Sequence, residues 1–325
     1  MRDRCRVCRI TGSSTAMPPL RKSNQVMKKE QNLIRMGWSL EGLSIGDALG
    51  DSLFFSRREI DLNERFLPPG IWEYTDDTQM ALSIIETLGR FGKIDQDYLA
   101  ESFAKHFERN RGYGTGMYEL LPVINSKNWK HLAQRLFGGQ GSYGNGGAMR
   151  VAPLGAFFAG DIDMAIENAR LSAEVTHTHL EGIAGAIAVA VSAAVAWQFR
   201  KNDTSLNPKT FMEQVASFTP PSVIHDKILL ASSLSFGESI WEIIKVLGNG
   251  SGISAQDTVP FAIWCAFQHL DNFEEAIWLT ASGHGDIDTN CAIVGGIVAT
   301  YTGIEGIPAE WIRRREKLPA WVFEK

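Results

Sequence analysis

YTDDTQMALSIIETLGRF, residues 74–91, begins with acidic and hydroxyl side chains and continues with apolar residues spaced three and four apart. That spacing places the apolar side chains on one face of an α-helix. A single carboxylate at a helix start is an ordinary N-cap, worth roughly 0.5–2 kcal/mol, and it explains either Asp76 or Asp77. It does not explain both of them beside Thr75. The stretch therefore predicts a helix over 77–91 with more oxygen ligands at its start than a cap requires.

The same helical pattern continues along the chain. Strand-like alternation is nearly absent, and short segments rich in Gly, Pro or Asn separate the helical segments. Several segments have only a narrow polar face, so other helices must cover them. Besides 77–91, the clearest helices are predicted at 96–108, 164–173, 180–199, 236–247 and 287–301. We expect one compact all-α domain over 31–325, near the upper limit for a single hydrophobic core.

Charge and hydropathy restrict the partners. The first 30 residues carry 8 Lys and Arg against 2 Asp and Glu, whereas the rest carries 24 against 35. The acidic body argues against bulk nucleic-acid binding and suits a protein that gathers carboxylates around cations. No apolar run is long enough for a membrane span, and the most apolar stretch, 182–197, is expected to be a buried helix.

The basic segment 1–30 is predicted to be a disordered leader. It lacks the apolar core of a secretory signal, and no second ligand pair follows Cys5 and Cys8 to complete a zinc site. The other cysteines, Cys265 and Cys291, lie in apolar helical patterns. Such sparse cysteine is typical of a reducing compartment, and we expect a cytoplasmic protein without disulfides.

A second acidic cluster, GHGDIDTN at 283–290, again joins a glycine-containing loop to an apolar helix. Asp286, Asp288 and Thr289 supply hard oxygen ligands, which favour Mg²⁺, Mn²⁺ or Ca²⁺ over zinc. His284, between two glycines, is not expected to ligate a metal. If the fold brings both clusters together, their four carboxylates and two hydroxyls suffice for a dinuclear metal cleft.

Glycine-rich and histidine-containing segments are candidates for ligand binding. The loop GSYGNGGAMR at 141–150 precedes an apolar helix, where free backbone N–H groups suit a pyrophosphate. Tyr143 in this loop would stack on a base or ribose, or simply pack. His177 is a candidate ligand contact, whereas His179 is expected at a helix start. Asp47, in an otherwise apolar helix, needs polar partners and is expected to point into the polar centre.

Loop lengths indicate where the chemistry lies. Compact domains rarely keep long segments of low periodicity without use, and three occur here, at 51–76, 110–117 and 138–148. Segments 202–208 and 248–256 are expected to be ordinary surface connections.

Five motifs follow one another in a recognisable order: GDALG at 46–50, YTDDTQM at 74–80, YGNGGAMRVAPLG at 143–155, THTHLEGIAGA at 176–186 and GDIDTN at 285–290. Together they resemble the ADP-ribosylglycohydrolase family, which includes dinitrogenase-reductase-activating glycohydrolases and ADP-ribosyl-arginine and ADP-ribosyl-serine hydrolases. The resemblance implies an all-α fold, two Mg²⁺ or Mn²⁺ ions in a cleft, and an ADP-ribosylated protein or small molecule as the substrate.

The resemblance also implies roles for individual residues. The implied metal ligands are Thr75, Asp76, Asp77, Asp286, Asp288 and Thr289. The substrate-binding residues that the resemblance implies are Ser142, Tyr143, Gly144, Asn145, Gly146 and, by position, His177. Asp47 and Met149 are further substrate-binding candidates. The catalytic candidates are Asp76, Asp77 and Asp51.

One position departs from the family pattern. Many members carry a Glu in a pattern like GDxxGxxxE, near the bond that is cleaved, and Phe54 stands there in this chain. Glycoside cleavage usually needs carboxylates to activate the leaving group or the nucleophile. Asp51 is the nearest substitute, and activation of water by the metals together with Asp76 or Asp77 is the other route. Further acids along the same segment are Glu59, Asp61 and Glu64.

These patterns predict a metal-dependent hydrolase that cleaves the glycosidic bond between ADP-ribose and a modified side chain, with arginine favoured over serine. The alternatives are a catalytically weak ADP-ribose-binding protein, a hydrolase of another ADP-ribosyl linkage, a dinuclear phosphoesterase and a structural protein. The complete set of six implied ligands favours an active enzyme.

Overall fold

The described part of the chain is built from helices. The computed structural model describes residues 24–56, 58–202, 207–234, 237 and 239–322. These residues contain isolated β-bridges but no β-strand, so the predicted all-α class is confirmed. The helices are α1 (Asn24–Ser56), α2 (Asp76–Phe91), α3 (Gln96–Lys105), α4 (Thr115–Leu120), α5 (Trp129–Gly139), α6 (Ala152–Phe157), α7 (Ile162–Glu174), α8 (Leu180–Asn202), α9 (Pro208–Phe218), α10 (Val223–Ala231), α11 (Ile240–Leu247), α12 (Ala255–Gln268), α13 (Phe273–Ser282), α14 (Ile287–Thr302) and α15 (Ala309–Arg314).

Helices α8 and α14 form the centre of the domain. Most of their residues are buried, because α6, α7 and α12 pack on α8 while α1, α12 and α13 pack on α14. By length and composition α8 could cross a membrane, but 78% of its most apolar window is buried inside the domain. Burial of the 182–197 stretch is thus as predicted, within a helix of 23 residues that is longer than the stretch itself.

Glycines let α1 approach α14 at very short range. Gly42, Gly46 and Gly50 are four residues apart and share one face of α1. A Cβ at Gly46 would lie 2.0 Å from the backbone oxygen of Cys291, and one at Gly50 would lie 2.6 Å from the Cα of Asp288. No larger residue fits at these positions without moving a helix. The close contact places the acidic start of α14 beside the GDALG segment of α1.

Helix α1 extends into both the predicted leader and the predicted loop 51–76. It begins at Asn24, so part of the predicted disordered leader is helical, and the prediction for 1–23, including its CxxC motif, lies outside the described residues. It ends at Ser56, which corrects the loop predicted for 51–76 and makes Asp51 helical. Leu53 is buried and continues the core face of α1 beyond the glycines, which is why the helix does not stop at Gly50.

The remaining predicted helices correspond to α2, α3, α7, α8, α11 and α14, with differences at their ends. The largest difference concerns α11, which was predicted from 236 and begins at Ile240. Ser239 caps it by accepting a hydrogen bond from the backbone N–H of Glu242, and a serine cap is a typical helix start.

The segment that follows α15 runs beside the segment that precedes α2. The backbone N–H of Trp72 donates to the Arg314 carbonyl at 2.7 Å, and the backbone N–H of Glu316 donates to the Trp72 carbonyl at 2.8 Å. The Arg111 guanidinium donates to the Glu316 carboxylate at 2.7 Å and to the Tyr74 carbonyl at 2.9 Å. These bonds hold the chain in place immediately before the acidic start of α2.

Candidate metal centre and substrate cavity

Asp47 is buried and forms hydrogen bonds with the residues at the start of α2. Its carboxylate accepts hydrogen bonds from the backbone N–H groups of Thr75 and Thr78, at 3.0 and 3.1 Å, and from both hydroxyls, at 2.8 and 2.5 Å. The polar partners expected for a carboxylate in an apolar helix are therefore present. Because these bonds join α1 to α2, Asp47 positions the first acidic cluster.

The structure brings the two acidic clusters together. Carboxylate oxygens of Asp47, Asp77 and Asp288 lie within 4.8 Å of one another. The Thr289 hydroxyl donates to Asp77 Oδ2 at 3.5 Å, so α14 also reaches α2 directly. The negative charges of Asp288 and Asp286 act on Asp76, which places all four predicted ligand carboxylates in one centre.

Burial and mutual repulsion raise the carboxyl pKa values throughout this centre. Burial, together with the charge of Asp288, raises the pKa of Asp286 to about 8. Burial raises the pKa of Asp47 to about 7 in spite of its hydrogen bonds. Burial and the neighbouring carboxylates also raise the pKa values of Asp76 and Asp77 well above the ordinary range. Carboxylates this close together do not all ionise near neutral pH without positive charge beside them.

The donor atoms of the centre fit divalent cations. Asp77 Oδ1 is buried and has no hydrogen-bond partner within the described ranges, as expected of an oxygen that a cation would contact. The donors are carboxylate and hydroxyl oxygens, which prefer hard ions such as Mg²⁺ and Mn²⁺. The cluster therefore meets the chemical requirements of a metal site.

A cavity of about 710 Å³ opens onto the carboxylates. Its volume falls within the range of roughly 300–1,000 Å³ that is typical of small-molecule sites. Thr75, Asp47 and Asp51 do not line it, so Asp47, predicted as a substrate contact, lies behind the cavity wall. The predicted site residues that do line it are Asp76, Asp77, Ser142, Tyr143, Gly144, Asn145, Gly146, Met149, His177, Asp286, Asp288 and Thr289.

The glycine-rich loop connects the cavity wall to the carboxylates through Asn145. Its side-chain amide donates to Asp286 Oδ2 at 2.6 Å and to the Thr258 hydroxyl at 3.0 Å. The Tyr143 ring lies 5.9 Å from the Phe137 ring, and both residues line the cavity. The loop thus lines the cavity with the Tyr143 ring and backbone groups. It also holds the Asp286 carboxylate through the Asn145 amide.

His177 lies buried against the glycine-rich loop. A Cβ at Gly146 would lie 2.9 Å from Cε1 of the imidazole, so a glycine is needed for the loop to pass so closely over the ring. Burial and the charge of Arg150 lower the pKa of His177 to about 3, so the imidazole is neutral. His179 instead stays at the helix start, as expected, because its Nδ1 accepts from the Glu181 N–H at 3.1 Å.

The segment 248–256 is part of the site, and the prediction of an ordinary surface connection is wrong. Gly252 and Ile253 line the cavity. The Asp286 N–H donates to the Asn249 carbonyl at 3.2 Å, and a Cβ at Gly250 would lie 2.6 Å from the Cβ of Asp286. The segment therefore supports the second acidic cluster. Its turn-like composition does not distinguish it from a surface loop, because both use glycine, serine and asparagine.

Two further segments contribute to the cavity wall. The predicted loop at 110–117 lines it through residues 112–117, of which the last belong to α4. Glu119 of α4 and Phe137 near the end of α5 also line it and carry no sequence signal of their own. Phe137 has a left-handed backbone, with φ of 51°, which is uncommon for a bulky residue and marks a locally strained turn.

Asp51 lies in the last turns of α1, partly buried, beside the carboxylate centre. Burial, together with the charges of Asp288 and Glu73, raises the pKa of Asp51 to about 6. Phe54 is 57% exposed, and its ring meets that of Phe55 edge-on at 5.3 Å between centroids. The more distant acids Glu59, Asp61 and Glu64 are exposed. Asp51 is therefore the acid of this segment that interacts with the centre.

The helical fold and the acidic centre beside a ligand-sized cavity define an all-α protein with a candidate metal centre at its binding site. The chain belongs to the ADP-ribosylglycohydrolase family, because the model of that family matches residues 34–324. The resemblance drawn from the five motifs is thereby confirmed.

Comparison with individual proteins gives the same family. The ADP-ribosylhydrolase ARH3 of Gallus gallus is 30% identical over 323 residues, which covers 84% of this chain and 86% of the relative. ARH3 of Homo sapiens is 27% identical over 271 residues and covers 73% of each chain. The ADP-ribosylarginine hydrolase Tri1 of Pseudomonas putida (strain GB-1) is 25% identical and covers 88% of this chain and 75% of its own. A solved ADP-ribosylglycohydrolase-related protein complex has the same fold, with a TM-score of 0.60, 22% identity, and coverage of 88% of this chain and 94% of that one.

Proposed function

We propose that the protein hydrolyses the glycosidic bond between ADP-ribose and a modified target, with two Mg²⁺ or Mn²⁺ ions. The observation that carries the proposal is that Asp76, Asp77 and Asp286 belong both to the buried carboxylate centre and to the wall of the cavity. Cleavage of a glycosidic bond requires carboxylates beside the bound substrate, whereas binding alone does not.

The residues that would hold the ions are Thr75, Asp76, Asp77, Asp286, Asp288 and Thr289. Ions bound there would neutralise the carboxylates and supply the Lewis acidity that activates water near neutral pH. The chain itself orients these ligands, because Asp47 holds Thr75 and Asn145 holds Asp286. Partners of this kind normally affect metal affinity as well as geometry.

The ADP-ribose part of the substrate would occupy the wall formed by the glycine-rich loop. Backbone groups from Ser142 to Gly146 suit phosphate oxygens, and the neighbouring rings of Tyr143 and Phe137 suit an adenine. The modified side chain would then extend from the carboxylate end of the cavity.

We favour an arginine-linked substrate over a serine-linked one. A ribosylated guanidinium already carries a positive charge and leaves as neutral guanidine, whereas a serine oxygen needs a proton from an acid as it departs. Phe54 cannot donate a proton, and among the described residues from 51 to 64 Asp51 is the acid that interacts with the centre. The exposed Glu119 also lines the cavity and attracts a cation. The name of Tri1 supports the same substrate class.

The test is release of ADP-ribose from arginine-modified and serine-modified peptides, with Mg²⁺, with Mn²⁺ and with a chelator. The wild type is expected to release ADP-ribose from the arginine-modified peptide faster, and only with metal. Asp286→Ala is expected to abolish release. If ADP-ribose raises the melting temperature but neither peptide is cleaved under any condition, the protein is a binding protein and the proposal fails.

Phe54→Glu tests the leaving-group argument. A carboxyl group placed there is expected to increase hydrolysis of the serine-modified peptide by about 100-fold, the usual effect of a general acid, with little change for the arginine-modified peptide. Phe55→Glu is the matched control, because Phe55 is the exposed neighbouring aromatic residue, 69% accessible. Equal effects of the two variants on serine-linked hydrolysis would contradict the argument.

A further inference from the structure

Arg150 is a fully buried guanidinium whose hydrogen-bond partners among the described residues are all neutral. It donates to the Ser172 carbonyl at 3.0 Å and to the Thr176 hydroxyl at 2.9 Å, and it lies 4.7 Å from the centroid of the Phe103 ring. Burial lowers its pKa to about 9, and the charge of Asp76 opposes that effect. A buried charge of this kind is costly, and an apolar side chain would serve packing better.

The hydroxyl of Thr176 connects Arg150 to His177. Its Oγ1 accepts the bond from Arg150 and lies 2.7 Å from His177 Nδ1, and these are its two partners among the described residues. If Nδ1 carried the proton, the hydroxyl would accept twice and its own proton would be buried without an acceptor. If Nδ1 is unprotonated, Arg150 donates to Thr176 and Thr176 donates to Nδ1, so the hydroxyl and Nδ1 both have a partner. The second arrangement leaves the single imidazole proton on Nε2.

The Nε2 edge of the ring faces the part of the cavity that the glycine-rich loop borders. A Cβ at Gly144 would lie 3.3 Å from Nε2, and one at Gly146 would lie 3.1 Å from it. No group of the described chain forms a hydrogen bond with Nε2, although His177 is only 3% exposed and lines the cavity. An N–H without a protein partner on a side chain that lines the cavity, beside a loop suited to phosphates, favours a ligand oxygen as its acceptor.

We propose that Thr176 and Arg150 are positioning residues that hold His177 as the tautomer protonated at Nε2, with this N–H aimed at an oxygen of bound ADP-ribose. The tautomer follows from the hydrogen bonds among Arg150, Thr176 and His177 alone, whereas the identity of the ligand rests on the proposed function. The charge of Asp76, in the acidic centre, raises the pKa of the same guanidinium.

The tautomer is measured by ¹⁵N NMR on the full chain labelled at histidine, because the nitrogen shift distinguishes a protonated ring nitrogen from a bare one. Loss of a signal in His177→Gln assigns His177 among the 7 histidines. The expected wild-type spectrum has Nε2 protonated and Nδ1 bare, without ligand or metal. A spectrum with the proton on Nδ1 overturns the proposal, whatever the protein is found to bind or cleave.

Binding of free ADP-ribose, measured by calorimetry, tests the effect on the ligand. Thr176→Val removes the hydroxyl at nearly constant shape and is expected to change the His177 spectrum and to weaken ADP-ribose binding about tenfold, the size of one hydrogen bond to a charged group. Thr176→Ser keeps the hydroxyl and is expected to retain both the spectrum and the affinity. If Thr176→Val changes neither property, or changes the spectrum alone, the positioning role is refuted. A wild type with the expected tautomer but no affinity for ADP-ribose would instead refute the proposed function.

Discussion

Replacing Asp77 by Asn keeps the shape of the side chain and removes its charge. Asp77 Oδ1 is the buried oxygen that has no partner within the described chain, so we expect Asp77→Asn to abolish the rise in melting temperature that Mg²⁺ or Mn²⁺ produces. ADP-ribose release is expected to fall by at least about 100-fold. Without added metal the variant is expected to be at least as stable as the wild type, because it contains one fewer buried charge.

The matched control for this substitution is Asp163→Asn. Asp163 is exposed in the first turn of α7, and its replacement is expected to leave both the metal-induced shift and the release of ADP-ribose unchanged. Melting curves with and without Mn²⁺ provide the measurement. A normal metal-induced shift in Asp77→Asn would show that the ions bind elsewhere.

At the scale of residues, the sequence reveals polar side chains that are unusual for their position in a helix. Two neighbouring carboxylates at a helix start exceed the need for a cap, so the acidic clusters are visible without a structure. Arg150 is not visible in this way, because a basic residue at the end of a glycine-rich loop usually lies at the surface. Asn249 is also hidden, since it contributes its backbone carbonyl, which every residue possesses.

At the scale of elements, two glycines of α1 provide a paired test. Gly46→Ala would place a Cβ 2.0 Å from the Cys291 carbonyl, whereas the same change at Gly37 meets no atom within 4 Å. We expect Gly46→Ala to destabilise the protein by about 1–3 kcal/mol. Gly37→Ala is expected to stabilise it by roughly 0.5–1 kcal/mol through helix propensity.

Urea denaturation of the two variants measures these changes. Gly46→Ala is also expected to weaken the response to Mn²⁺, because it separates Asp47 from Asp288, whereas Gly37→Ala is expected to leave that response intact. Equal stabilities of the two variants would show that α1 and α14 are not held at the distance described here.

The existence of most helices could be predicted, but not the way in which they pair. An apolar helix such as α8 must be buried, and periodicity shows this directly. Periodicity does not say which helix covers it, because any apolar face satisfies the same requirement. The spacing of Gly42, Gly46 and Gly50 indicates a close helix contact without naming α14 as the partner. Ends such as Ser56 also escape prediction, since burial of Leu53 outweighs the nearby glycines.

At the scale of the whole molecule, the raised carboxyl pKa values make stability depend on pH and metal together. Asp47 and Asp286 have pKa values of about 7 and 8 in the folded protein, against 3.8 ordinarily. Between pH 3.8 and the raised pKa values, the folded state therefore binds more protons than the unfolded state. The free energy of unfolding falls as pH rises through this range. We expect the metal-free protein to melt at a lower temperature at pH 8 than at pH 5.

Added Mn²⁺ is expected to reverse this trend, because protons and cations compete for the same oxygens. The rise in melting temperature on adding metal should be larger at pH 8 than at pH 5. Asp286→Asn removes one of the titrating groups and is expected to reduce the dependence on pH. A metal-free melting temperature that rises from pH 5 to pH 8 would contradict the arrangement of charges in the centre.

The pairing of α1 with α14 also sets the order of events during synthesis. The chain emerges from the ribosome with its N-terminal side first, so α1 is made long before α14 exists. Until then the glycine face of α1 has no partner, and Asp47 lacks Asp288 beside it. The backbone hydrogen bonds that join Trp72 to Arg314 and Glu316 form later still. A nascent chain therefore has no assembled centre until nearly all of it has been translated, and contacts between such distant segments form slowly. The glycine face of α1 is therefore uncovered during that interval, and the finished chain is the first form in which the carboxylate centre is assembled.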